Sequence, residues 1–161
     1  LSLHDALPIF LRDNGITTRT DMAAFTARTE ETLANLMKQR TVLNVRRKRR
    51  RALYTALADA EALAPVKELY EAGLSGMETE FAQYMDAVAA LEQCGVPREG
   101  LIQEKAELYD RLAELNRQIR AERRKLALCR KTQNSLPRME QEIDKAEARE
   151  SEVRTNEHRR R

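Results

Sequence analysis

From Leu101 onward the chain carries a pattern that leaves little choice of fold. Leu101, Lys105, Leu108, Leu112, Leu115, Ile119, Glu122, Leu126, Cys129, Gln133 and Leu136 are spaced alternately four and three residues apart, and eight of these eleven are apolar or cysteine. A repeat averaging 3.5 residues keeps one stripe of an α-helix turned toward a partner helix, with charge on its flanks. A strand alternates with period two and cannot gather this stripe on one face. Leu101, Leu108, Leu112, Leu115, Ile119, Leu126, Cys129 and Leu136 are therefore expected to form a coiled-coil seam.

The partner in sequence is the stretch 19–63, which contains neither glycine nor proline. Its seam is weaker: of Met22, Phe25, Thr29, Thr32, Leu36, Gln39 and Leu43, only four are apolar. Continuing the spacing puts Arg46 and Arg50 on the seam, inside the run Arg46, Arg47, Lys48, Arg49, Arg50, Arg51. Six consecutive charges go more than once around a helix, so a single solvated face does not account for them. Burying an unpaired guanidinium is costly. The seam must then be open, wet or bound to anions at this point. Contact with nucleic-acid phosphates is the functional reading; a solvated, loosely packed helix is the plain one.

A second basic block is Arg117, Arg120, Arg123, Arg124, Lys125, Arg130, Lys131 and Arg138, interrupted only by Glu122. Alone it reads as a solvated helix surface. If the two blocks lay side by side in a folded arm, they would form one positive surface to which Arg120, Arg123, Arg124 and Lys125 contribute.

Composition narrows the rest. Charged residues make up 34% of the 161 and aromatic residues 4%, with no tryptophan, five glycines and four prolines. Such a chain has little with which to fill a thick core and few turn residues, so an all-α fold of long solvated helices is expected. No apolar run approaches the ~18 residues of a membrane span. The cysteines, Cys94 and Cys129, have no CxxC spacing, which fits a reduced, cytoplasmic setting. With only His4 and His158, no histidine metal cluster can be built. Neither a nucleophilic triad nor a glycine-rich phosphate loop is present, so the chain is read as non-enzymatic, with no metal, no cofactor and no small-molecule substrate. Tyr54, Tyr70, Tyr84 and Tyr109 are read as packing residues. Only Tyr54 lies near the basic run in sequence, so a stacking platform for single strands is not expected.

Punctuation sets the order of elements. Residues 10–18 read as the end of a helix and a turn, stopped at Asn14-Gly15. Thr18 is a candidate N-cap with Asp21 three residues on. The long helix 19–63 follows. Residues 64–96 hold short helices, Val66–Ala72 after Pro65 and Met77–Gln93 after Gly76. The second helix has an apolar face of Met77, Phe81, Tyr84, Met85, Val88 and Leu91. The long heptad helix is 97–157, with a kink or break at Pro137, and 158–161 is a basic tail. The long helices pair antiparallel if both short helices reverse the chain, and parallel if one does. A coiled-coil arm with a short helical tip is expected, preferably antiparallel.

Leu1–Ile9 resembles, residue for residue, a translated short-read sequencing adapter, CTT TCC CTA CAC GAC GCT CTT CCG ATC. On that reading residues 1–9 carry neither fold nor function, and the natural frame begins near Phe10 with an upstream part before it.

The stretches Phe10–Arg19, Leu69–Glu78 and Glu104–Tyr109, with the Arg-rich ending, give the chain from Phe10 a family likeness. It resembles the helical region beyond the nuclease domain of P-type mobilisation relaxases from bacterial conjugative or mobilisable elements. In that family an upstream domain nicks DNA with a tyrosine nucleophile and a histidine-bound metal. No residue of that site has a counterpart here. The resemblance implies an accessory region that makes sequence-independent DNA-backbone contacts, or contacts a mobilisation accessory protein or a second copy, away from any membrane. The alternative from the residues alone is a structural or protein-interaction coiled coil without DNA binding.

Overall fold

The computed structural model describes residues 3–159, with side chains described for 7–135 and 145–159. It is built of helices: α1 (Leu3–Asp13), α2 (Arg19–Ala62), α3 (Ala64–Glu71), α4 (Glu78–Gln93) and α5 (Arg98–Arg159). Among the described residues there is no strand. The long helices α2 and α5 pack against each other. Contacts divide the chain into two compact units, residues 1–34 with 119–161, and residues 35–118.

The first unit joins α1, the start of α2 and the second half of α5. The α1 helix begins ahead of Phe10, so the segment read as adapter-derived is helical from Leu3, and Leu7 packs partly against the core. The helix stops at Gly15, whose φ of 64° is open to glycine at little cost. Gly15 N donates to Arg12 O at 3.2 Å and Ile16 N to Leu11 O at 2.9 Å, which satisfies two carbonyls the helix end leaves over. The next helix is capped reciprocally. Asp21 N donates to Thr18 Oγ1 at 3.0 Å, and Thr18 N donates to Asp21 Oδ2 at 3.2 Å. Turn and cap together bring Phe10, Ile16 and Met22 onto Leu128 and Cys129. Phe10 meets Phe25 edge to face at 5.5 Å, the arrangement ring quadrupoles favour.

The second unit pairs α2 and α5 antiparallel. Gln39 and Arg40 bond to Arg111 and Asn116, and Arg50 to Glu104, so position falls along α5 as it rises along α2. Ala56, Leu57 and Ala60 of α2 pack with Ala87 and Leu91 of α4 and with Leu101 of α5. Three alanines let the helices approach closely, and Leu101 is wholly buried. Tyr70 of α3 stacks on Phe81 of α4 at 4.1 Å. A second cluster joins Tyr54 and Leu43 to Leu108 and Leu112.

The α5 seam is where the heptads place it. Leu101, Leu108, Leu112, Leu115, Ile119, Leu126 and Cys129 are each at most 5% exposed; the side chain of Leu136 lies outside the described residues. Beyond Leu126 the buried face departs from the repeat: Leu128 and Thr132 are buried and Gln133 is exposed. The α1 segment adds a second neighbour there, and two neighbours need a wider stripe than one. Of the kink or break expected at Pro137, the break does not occur, since α5 runs through it to Arg159. Proline removes a single amide donor, and the hydrogen bonds on either side remain available.

The seam expected for α2 is corrected in part. Met22, Thr29 and Leu36 are buried, but Thr32, Gln39 and Arg46 are exposed. Leu33 and Arg40, one residue on from Thr32 and Gln39, are half-buried instead, while Leu43 and Arg50 are half-buried as expected and lead on to buried Tyr54. With threonine and glutamine as frequent as leucine, the pattern did not distinguish the two registers. On α4, Tyr84 and Leu91 are buried as expected, Met85 is 48% exposed, and Ala87, outside the expected face, is buried.

Candidate nucleic-acid interface

The basic run lies on α2 within the second unit, at the point where its own seam lacks apolar residues. Between half-buried Leu43 and buried Tyr54, heptad spacing falls on Arg47, which is exposed, and Arg50, which is half-buried. Their roles differ. Arg50 Nε donates to Glu104 Oε1 of α5 at 3.0 Å, and both residues are half-buried. Arg46, Arg47, Lys48, Arg49 and Arg51 are exposed and have no ion-pair partner among the described residues. Five cations on six consecutive residues thus stand without a counter-charge, which sets up a local positive potential.

Beside the run is a cavity of about 500 Å³. From α2 it is lined by Arg47, Arg51, Tyr54 and Thr55, and from α5 by Lys105 and Tyr109. Arg47, Arg51 and Thr55 follow one another at a spacing of four, so they share a face of the helix. Lys105 and Tyr109 do the same on α5. Lys105 Nζ sits 5.8 Å from the Tyr54 ring centroid and 5.9 Å from that of Tyr109, so two π-faces hold the ammonium in place. Tyr109 is 43% exposed. It is therefore no packing residue, contrary to expectation, and it brings a second aromatic ring to the basic run from 58 residues away in sequence.

Tyr54 is the unusual member of the group. Its side chain is 5% exposed, and its buried hydroxyl makes no hydrogen bond of ordinary geometry. Burial pushes its phenol pKa up, and the nearby Glu104 carboxylate adds to this, against smaller opposing effects of Arg50 and Arg46. The hydroxyl thus stays protonated and able to donate.

The second basic block is placed differently from expectation. Arg120, Arg123 and Arg124 are exposed and Lys125 is half-buried, all in the first unit, whereas the run belongs to the second. Within its own unit the run's neighbours on α5 are Glu104, Lys105 and Tyr109. Antiparallel register explains this, because residues near 50 on α2 meet residues near 104 on α5. Parts of the block are also neutralised locally. Arg117 grips Glu114 with two bonds, at 2.9 and 2.6 Å, and holds that carboxyl down to about 2; a bond from Gln118 adds to this. Lys125 pairs with Glu122 at 3.0 Å.

Among the described residues no group of three His, Cys, Asp or Glu could hold a metal ion. Cys94 and Cys129 are free thiols, and Cys94 Sγ donates to Leu91 O. No described helix is long and apolar enough to cross a membrane. The chain matches no family model, no curated protein and no solved structure.

Proposed function

We propose that this chain is a non-catalytic helical region that holds nucleic acid by its phosphate backbone, without reading sequence. The role fits an accessory segment of a mobilisation protein in conjugative DNA transfer, through contacts with DNA or with a mobilisation partner. The observation that carries the reading is the placement of Arg46–Arg51. Five of the six side chains are exposed and have no ion-pair partner among the described residues, beside an open cavity between α2 and α5. A merely solvated helix gains nothing from concentrating cations there, because like charges repel. Phosphates would relieve that repulsion and release counterions.

The test is a titration of the chain into labelled duplex and labelled single strand at low and near-physiological salt. A second chain carries glutamine at all six positions of the run. The natural chain is expected to bind with a steep salt dependence. Each lost phosphate contact should lower the log–log slope by about 0.9 on duplex, so the glutamine chain should lose several units. Absence of binding by the natural chain at low salt would defeat the proposal.

One observation favours a second reading. Val42 and Val45, three apart on α2, are 67% and 45% exposed. Apolar neighbours on an open helix face suit a protein partner or a second copy. Such an association would be insensitive to salt, which separates it from phosphate binding.

A further inference from the structure

We propose that the cavity between α2 and α5 in the second unit binds one phosphorylated, nucleotide-sized group, with its phosphate on Arg47, Arg51 and Lys105 and its planar body against the Tyr109 ring. This builds on the nucleic-acid reading of the basic run and says which of its residues do distinct work.

Three features converge on that ligand chemistry. Arg47 and Arg51 share the cavity face of α2, and Lys105 reaches the cavity from α5. Three cations from two helices therefore surround one space. Glu104, next to Lys105 in sequence, is bonded to Arg50. Guanidinium and ammonium groups around one point are the usual recognition set for phosphate.

The space is also too large for a bare oxyanion. At about 500 Å³ it falls within the ~300–1,000 Å³ of small-molecule sites. An exposed aromatic ring at its edge, Tyr109, supplies a surface on which a base can stack. The run thereby divides in function. Arg47 and Arg51 belong to the cavity, Arg50 secures the helix pair, and Arg46, Lys48 and Arg49 do not line the space.

The group could arrive as a free nucleotide or as an unpaired nucleotide of a strand. Both present the same phosphate and base. A paired nucleotide cannot offer its base face to Tyr109, so a duplex should not fill the cavity.

The experiment measures binding of thymidine monophosphate, inorganic phosphate, a short oligothymidylate and a duplex to the full chain. The variants are R47Q/R51Q, Y109S and, with the same charge change outside the cavity, K48Q/R49Q. All these positions are exposed, and helical content by circular dichroism checks that each variant folds. The mononucleotide is expected to bind the natural chain, and inorganic phosphate to displace it at higher concentration. R47Q/R51Q should abolish mononucleotide binding, and K48Q/R49Q should keep it. Y109S should weaken it by about tenfold, the worth of one base stacked on a ring, while leaving inorganic phosphate unaffected.

If only the mononucleotide binds, the cavity stands as a free-nucleotide site and the DNA reading falls. If both bind and compete, the strand is the source. If DNA binds with a steep salt slope and the mononucleotide does not, the basic run contacts DNA and the cavity proposal is overturned. Equal damage from K48Q/R49Q and R47Q/R51Q would also overturn it, since that is the mark of diffuse charge.

Discussion

Arg50 donates to Glu104 across α2 and α5 at 3.0 Å, in the short stretch where basic residues replace apolar ones on the α2 seam. The pair converts a gap in the hydrophobic stripe into a fixed crossing point. It also engages the carboxylate that precedes Lys105 in sequence.

That pair should couple measurably. The side chains of Arg50 and Glu104 are 36% and 26% exposed, so screening limits the gain. A double-mutant cycle with R50A and E104A is expected to give a coupling energy of about 0.5–1 kcal/mol in urea unfolding. Additive single effects would show that the pair holds nothing.

The seam should respond far more strongly. Leu115 is 0% exposed, and L115A is expected to lower unfolding free energy by about 2–5 kcal/mol, the lost transfer energy plus the cavity left behind. I102A, at a position 53% exposed, should stay within about 0.5 kcal/mol of the natural chain. Comparable effects at both positions would mean that the seam is not the stabilising contact.

The turn between α1 and α2 depends on its backbone. Gly15 sits at φ 64°, and an added Cβ would meet nothing within 4 Å. Any cost of G15A is therefore conformational, about 1–2 kcal/mol, and should appear as a lower thermal midpoint. T18A should cost about 1 kcal/mol by removing the cap on Asp21 N.

Acid should weaken the fold at two carboxylates. Bonds from Thr17 and then Thr18 hold Asp21 below its usual 3.8, and Arg117 holds Glu114 at about 2 against 4.5. A depressed carboxyl contributes stability above its unfolded pKa, and that contribution is lost as pH falls through the folded value. Stability should therefore decline from about pH 4.5 toward pH 2. D21N and E114Q should each flatten part of the decline in denaturant unfolding across that window. An unchanged profile in both variants would place the acid sensitivity elsewhere.

The heptads of α5 were legible because leucine at seven-residue spacing has one geometric reading. Seven of the eight residues expected on that seam are buried, and Leu136 lies outside the described side chains. The caps at Gly15 and Thr18 were legible too, since they rest on residues a few positions apart. The register of α2 was not. With Thr32 and Gln39 as candidates, only contact with α5 decided that Leu33 and Arg40 are the more buried.

What the sequence by itself determined is the all-helical fold, the buried face of α5 and the presence of a basic run that an apolar seam cannot absorb. These follow from local periodicity and charge, which any helix expresses whatever it packs against. Tertiary structure alone decided that the run is met by Glu104, Lys105 and Tyr109 and that the second basic block belongs to another unit. The physical reason is register. Antiparallel pairing sets residues near 50 against residues near 104, and no pattern within either helix encodes that match. It emerges from the sum of contacts along α2 and α5, and with it comes the cavity in which cations of both helices meet.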